Sequence, residues 1–126
     1  MRKRDPAPVR TTAVHHVSIN VDDVDAAVGF YTEVLGLSRR DDRPELGIDG
    51  AWLDAGGQQV HLILAPVPQN LGQHFAVRVD DIDTSVAELR GRGIEVSAPS
   101  AVGTGRQAFL QDPAGNVVEL HEPAAD

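Results

Sequence analysis

Four side chains in this sequence have the chemistry to hold a metal ion: His16, His61, His74 and Glu119. Neutral imidazoles and a carboxylate are good ligands for a first-row divalent cation, and Zn, Ni, Fe, Mn or Co would each accept them. An ion so held polarises an oxygen-bearing substrate or lowers the pKa of bound water. Residues this far apart in sequence share one ion only if the fold gathers them. The elements that carry them therefore come next.

The stretch QHFAVRVDDID, residues 73–83, repeats HHVSINVDDVD, residues 15–25. With His16 placed over His74, five positions in ten are identical across 16–25 and 74–83: the histidines, Val21/Val79, Asp22/Asp80, Asp23/Asp81 and Asp25/Asp83. Average composition would give about one. The same offset of 58 lays DAGGQQVHL (54–62) on DPAGNVVEL (112–120), matching Asp54/Asp112, Gly57/Gly115, Val60/Val118 and Leu62/Leu120. His61 lands on Glu119. An offset that holds at both ends of a segment marks an internal duplication.

Each half reads as β, α, then three strands. Residues 13–21 and 73–80 alternate with β-branched residues on one face and are expected to be strands. Asp22 and Asp80 occupy N-cap positions before amphipathic runs at 23–35 and 82–92, which Gly36 and Gly93 stop. Strands are expected near 37–42, 50–55 and 58–65, and again near 94–98, 106–112 and 116–122. AGGQ and DPAGN are the turns joining the last two strands of each half. The expected fold is α+β: two tandem βαβββ modules, 13–65 and 73–122, forming curved mixed sheets around a concave metal-binding cavity. Residues 66–72 link them; 1–12 form a flexible basic tail and 123–126 a short one.

Alternation assigns the faces. Val17, Ile19 and Val21 lie toward the helix, and His16, Ser18 and Asn20 away from it. Phe75, Val77 and Val79 oppose His74, Ala76 and Arg78. Val60, Leu62 and Leu64 oppose Gln59, His61 and Ile63, while Val118 and Leu120 oppose Val117, Glu119 and His121. The four candidate ligands thus occupy repeat-equivalent places on the face away from the helices. If the two sheets curve into one surface, they converge.

Composition narrows the class. The chain has 126 residues, no cysteine and a formal charge of −8. It is one domain's worth, with enough surface to bury for a core without disulfides. Absent thiols exclude a zinc ribbon and a thiol nucleophile and favour a reducing, cytoplasmic setting. Net negative charge opposes nucleic-acid binding, and no apolar run reaches the ~20 residues of a membrane span. MRKRDPAPVR lacks the apolar region of a secretory signal.

These residues carry a resemblance. HHVSINVDDVDAAVGFYTEVLGL, GAWLDAGGQQVHLI, QHFAVRVDDID and GRQAFLQDPAGNVVELHEP together resemble the vicinal oxygen chelate superfamily. That group includes glyoxalase I, fosfomycin-resistance thiol transferases, methylmalonyl-CoA epimerase, extradiol dioxygenases and bleomycin-binding proteins. The resemblance spans 13–122 and implies that His16, His74 and Glu119 match metal ligands of the first, fifth and eighth strands. His61 matches the fourth-strand ligand, a glutamate in bacterial glyoxalase I. Three histidines and one carboxylate would leave a divalent ion formally +1, a stronger Lewis acid than the neutral glyoxalase centre.

The resemblance implies a metal-dependent enzyme acting on a small oxygen-rich molecule. Proton transfer through a metal-stabilised enolate comes first, with Glu119 and His61 as catalytic candidates. Fe(II) extradiol-type ring cleavage and thiol transfer to an epoxide antibiotic are alternatives, as is a metal-free drug- or metabolite-binding protein. Arg78, Arg106, Trp52 and Phe109 are candidates to bind substrate, with Tyr31 a further pocket candidate; His15 and His121 are not expected to bind metal. A homodimer is expected, since relatives of this length commonly pair, with His16 and His61 facing His74 and Glu119 of the second copy.

Overall fold

A computed structural model describes residues 6–125. Residues 1–5 of the expected basic tail, and Asp126, lie outside the described residues; 6–15 are exposed and form no helix or strand. The chain folds as β1 (His16–Val21), α1 (Val24–Gly29) running into a π-helical turn (Phe30–Val34), β2 (Ser38–Arg39), β3 (Gly50–Ala55) and β4 (Gln58–Leu64). The second half follows with β5 (Phe75–Arg78), α2 (Ile82–Gly91), β6 (Ser100–Val102), β7 (Gly105–Gln111) and β8 (Val117–Glu122). Each half makes its own four-stranded sheet, ordered β1-β4-β3-β2 and β5-β8-β7-β6. The fold is α+β with two βαβββ modules. Among the described residues no helix is long and apolar enough to cross a membrane.

Asp22 and Asp80 were expected to cap the helices, but the second aspartate of each pair does so. Asp23 and Asp81, not Asp22 and Asp80, adopt extended backbone and accept from the amides of Ala26 and Thr84 at 3.0 and 3.1 Å. Those bonds satisfy amides that the first helical turn leaves without partners. Gly36 and Gly93, both at φ +78, end the helical segments as expected.

Several expected strands differ, the first of them beginning at His16 and not at residue 13. Only Ser38–Arg39 of 37–42 pairs, against Asp54 and Leu53. The run 94–98 is not a strand: Val96 makes one bridge to Leu110, and the paired edge is Ser100–Val102. Pro99 lies between them and has no N–H to give the ladder. The first strand of the second module begins at Phe75, which leaves His74 just outside it.

The ladders refine the duplication. Val17 pairs with Val60, and Phe75 with Val118, in parallel and at the same register. The antiparallel neighbours are shifted: Leu53 faces Val60, whereas Leu110 faces Val118, an offset of 57. Asp112 therefore takes the structural place of Ala55, not of Asp54. The extra residue is absorbed by the longer turn DPAGN, where Asp112 accepts from the amides of Ala114 and Asn116.

Helix-side residues form the core, with Val21, Leu53, Leu62, Ile82, Val118 and Leu120 all at most 1% exposed. Each such side chain contributes roughly 1.5–3 kcal/mol when fully buried. The modules meet through Tyr31, whose hydroxyl donates to Asp112 Oδ2 at 2.7 Å with both groups buried. Burial first, then the adjacent carboxylate, pushes the phenol far up, so it stays a donor. Asn116 Nδ2 donates to the Asn20 carbonyl at 2.9 Å and Arg92 Nη1 to the Glu33 carbonyl at 2.9 Å.

Two outcomes follow from these contacts. Tyr31→Phe leaves a buried carboxylate short of one donor and should cost about 1.5–3 kcal/mol in denaturant unfolding. Asp83 is held below its ordinary value of 3.8 by the Arg106 guanidinium. A depressed carboxylate adds stability above its ordinary pKa and loses it as pH falls through the folded value. Asp83→Asn should thus melt slightly below wild type at pH 7, with the gap closing as the pH is taken under about 4.

Candidate functional site

In the first module the antiparallel and parallel ladders align Trp52, His61 and Ser18 in one row across the face away from the helix. His61 is enclosed by rings. His16 stacks on it with centroids 3.9 Å apart and planes at 13°, and Trp52 stacks on it at 4.6 Å and 13°. His61 Nε2 donates to Gln59 Oε1 at 2.8 Å, which leaves the lone pair on Nδ1. Burial lowers the His61 pKa, and the neighbouring His16, His15, Arg43 and Arg40 lower it further. The ring is thereby kept neutral, the form that ligates a metal. His15 Nδ1 and His16 Nδ1 lie 2.9 Å apart, so one of them carries the proton.

In the second module Glu119 sits between two imidazoles. Its Oε1 is 3.0 Å from His74 Nε2 and its Oε2 is 3.0 Å from His121 Nδ1. The carboxylate is only 9% exposed. His74 Nδ1 donates to the Gly72 carbonyl at 2.9 Å. That bond, then the one to Glu119, raises the His74 pKa. It also fixes the ring so that Nε2 is the nitrogen offered toward Glu119, the orienting contact that metal-binding histidines use. Phe109 is paired with Glu119 in the ladder and meets the His74 ring edge-on at 5.4 Å. Trp52 and Phe109 are repeat equivalents, each beside a candidate ligand.

The other expected pocket residues scatter. Tyr31 is wholly buried in the seam between modules. Arg106 projects from β7 toward α2, and its Nη1 and Nη2 donate to the two carboxylate oxygens of Asp83 at 2.8 and 3.1 Å. It is not on the ligand face: strand alternation puts Arg106 on the helix side with Ala108 and Leu110, opposite Phe109. Arg78 is exposed at the end of β5 and makes no hydrogen bond or ion pair among the described residues.

Sequence reasoning passed over Gln59 and set aside His121. The signal was present in both cases: each stands two residues from a candidate ligand, on the same strand and face. Arg43 is a further surprise. Its guanidinium lies against Gly50, where a Cβ would strike the Leu62 carbonyl oxygen, and Nη2 donates to the Ile48 carbonyl at 2.8 Å. Nothing in the 41–49 loop pattern singled it out.

The four candidate ligands fall into two pairs, one in each module. Among the described residues no set of three or more His, Asp or Glu side chains is arranged within one chain to hold a metal ion. Within one chain the four therefore do not form a single cluster. Each module nonetheless offers part of a coordination shell. The 3.0 Å between His74 Nε2 and Glu119 Oε1 matches neighbouring donors around one ion, which lie about 3.0–3.4 Å apart when each is ~2.1 Å from the metal.

Comparison with known proteins agrees with this architecture. A protein named "Probable lactoylglutathione lyase, chloroplastic" from Arabidopsis thaliana is 34% identical over 122 residues, covering 85% of this chain and 35% of that protein. This chain thus spans about a third of that relative's length. The crystal structure of a glyoxalase family protein from Bacillus anthracis superposes with a TM-score of 0.83 at 26% identity, over 93% of this chain and 99% of that one. TnmS3, an antibiotic binding protein from Streptomyces sp. CB03234, superposes with a TM-score of 0.76 at 29% identity, over 93% and 100%. The family profile described as Glyoxalase/Bleomycin resistance protein/Dioxygenase superfamily matches residues 13–120, and with the doubled βαβββ fold it places the chain in that superfamily.

Proposed function

We propose that this protein is a divalent-metal-dependent enzyme that moves a proton on a small oxygen-rich substrate, with each active centre assembled from two copies of the chain. In that assembly His16 and His61 of one copy face His74 and Glu119 of the other. The observation that carries this reading is the even division of ligands, two on each sheet face, with donor atoms of the second pair already at coordination spacing. Closed two-fold pairing is the commonest way for one chain to complete such a surface.

When bound, the ion would chelate two adjacent substrate oxygens and stabilise negative charge developing on one of them. The chain's own groups have separable tasks. His61, held neutral between His16 and Trp52, keeps Nδ1 free to ligate. His74 is oriented by the Gly72 carbonyl. Glu119 takes the proton from carbon next to a carbonyl at one carboxylate oxygen and returns it to the neighbouring carbon. His121, at the other oxygen, holds that carboxylate in place. Trp52 and Phe109 flank the polar groups with apolar surface that excludes water. The relative from Arabidopsis named as a lactoylglutathione lyase supports this reaction type.

A second reading is a metal-free binder of small molecules. It is favoured by the similarity to TnmS3 and by the separation of the ligand pairs in one chain. Metal analysis of protein purified without added metal separates the two. The enzyme reading expects near one equivalent per chain; less than about a tenth, with no uptake on soaking, supports the binder.

Mixing variants tests the two-chain arrangement. His16→Ala and His74→Ala should each lose metal while keeping their circular dichroism. Unfolded together and refolded as a mixture, they should recover about a quarter of wild-type sites, since half of random pairs are mixed and each mixed pair keeps one intact centre of two. A mixture that recovers no metal, or a His74→Ala variant with undiminished affinity, would count against the arrangement.

A further inference from the structure

The duplication gives the seam between modules two equivalent ends, and they are built differently. At one end Tyr31 bonds to Asp112 and packs 6.2 Å from Phe75, while Asn116 bonds to the Asn20 carbonyl. Each of these residues has a counterpart at the other end, one repeat away along its own element. Leu89 stands for Tyr31, Val17 for Phe75, Ala55 for Asp112, Gln58 for Asn116 and Arg78 for Asn20. The hydroxyl, the aromatic ring and the buried carboxylate are all missing there. Among the described residues, no hydrogen bond links Gln58 or Ala55 to Arg78 or Leu89.

A cavity of about 750 Å³ opens at that second end, and Val17, Ala55, Gln58 and Arg78 all line it. Around the first end the equivalent space is divided: a smaller cavity of about 210 Å³ lies against Val17, Ile19, Phe75 and Asn116, and an open groove runs along Ile94, Gln111 and Asp112. Leu35, Leu37, Val60, Val77 and Leu120 supply further apolar wall to the larger cavity. None of His16, His61, His74 and Glu119 lines it. Its size is that of a small-molecule pocket. Two charged groups stand at its edge. Asp54 is engaged by Arg40 Nη1 at 2.9 Å, whereas Arg78 is exposed and without an ion-pair partner among the described residues.

We propose that this cavity binds a small aliphatic monocarboxylate, its alkyl chain between the modules and its carboxylate held by the Arg78 guanidinium. A planar guanidinium matches a carboxylate with two parallel donors, and the carboxamide of Gln58 can add a third. The site is separate from the candidate metal ligands and does not depend on the enzymatic reading.

Octanoate is the probe, with 1-octanol as its uncharged counterpart, titrated into the full chain and followed by ¹⁵N–¹H NMR and calorimetry. The expected result is saturable octanoate binding with amide shifts gathered at Val17, Leu35, Leu37, Val77 and Val79. Arg78→Gln should weaken octanoate about tenfold or more and leave 1-octanol unchanged. Val77→Trp, which fills the cavity, should abolish both; if it does not fold, Ala55→Leu at the wall serves in its place. No saturable binding, or shifts that fall elsewhere, overturns the site. Octanoate binding that Arg78→Gln leaves intact overturns the role of the guanidinium.

Discussion

One constraint underlies the molecule: the parallel ladder between the first and last strand of each module has the same register in both halves. Val17 against Val60 and Phe75 against Val118 fix which side chains face the helices. Strand alternation does the rest, because a slip by one residue would send every side chain to the opposite face. The core residues and the candidate ligands are therefore set by one decision, made twice. His16, His61 and Glu119 are presented on the outer face because Val17, Val60 and Val118 are buried or half-buried on the inner one.

The two halves use that shared geometry to different electrostatic ends. The first keeps an imidazole neutral by enclosing His61 between rings and placing cationic neighbours around it. The second favours a charged imidazole, with His74 set between a backbone carbonyl and a carboxylate. Each is an ordinary outcome of burial or hydrogen bonding. The two faces therefore differ in character: one holds a neutral imidazole between rings, the other a carboxylate between two imidazoles.

Much of the fold was legible in the sequence because duplication supplies an internal check. The positions of β3, β4 and β8 followed from alternation and glycine turns, and β3 was anticipated residue for residue. The failures have local causes. Two consecutive aspartates can each cap, and backbone geometry selects Asp23 and Asp81 over the expected Asp22 and Asp80. The edge strand expected at 94–98 forms only beyond Pro99, at Ser100–Val102, and the residue added in DPAGN makes Asp54 and Asp112 match in letters but not in place. The site was legible by face and not by distance. Alternation assigns His16, His61, His74 and Glu119 to one side of their sheets, but how far one sheet lies from the other depends on packing between modules, which no periodicity encodes. Arg106 was singled out by its glycine-flanked segment and not by its face, and alternation puts it with Ala108 and Leu110, where it meets Asp83.

The hydroxyl–carboxylate bond across the seam draws one partner from each half. A chain rebuilt from two first modules would set Tyr31 against alanine; one rebuilt from two second modules would set leucine against Asp112. In neither would the bond form at either end. The halves still share a blueprint, yet each supplies to that join a group that its copy has lost.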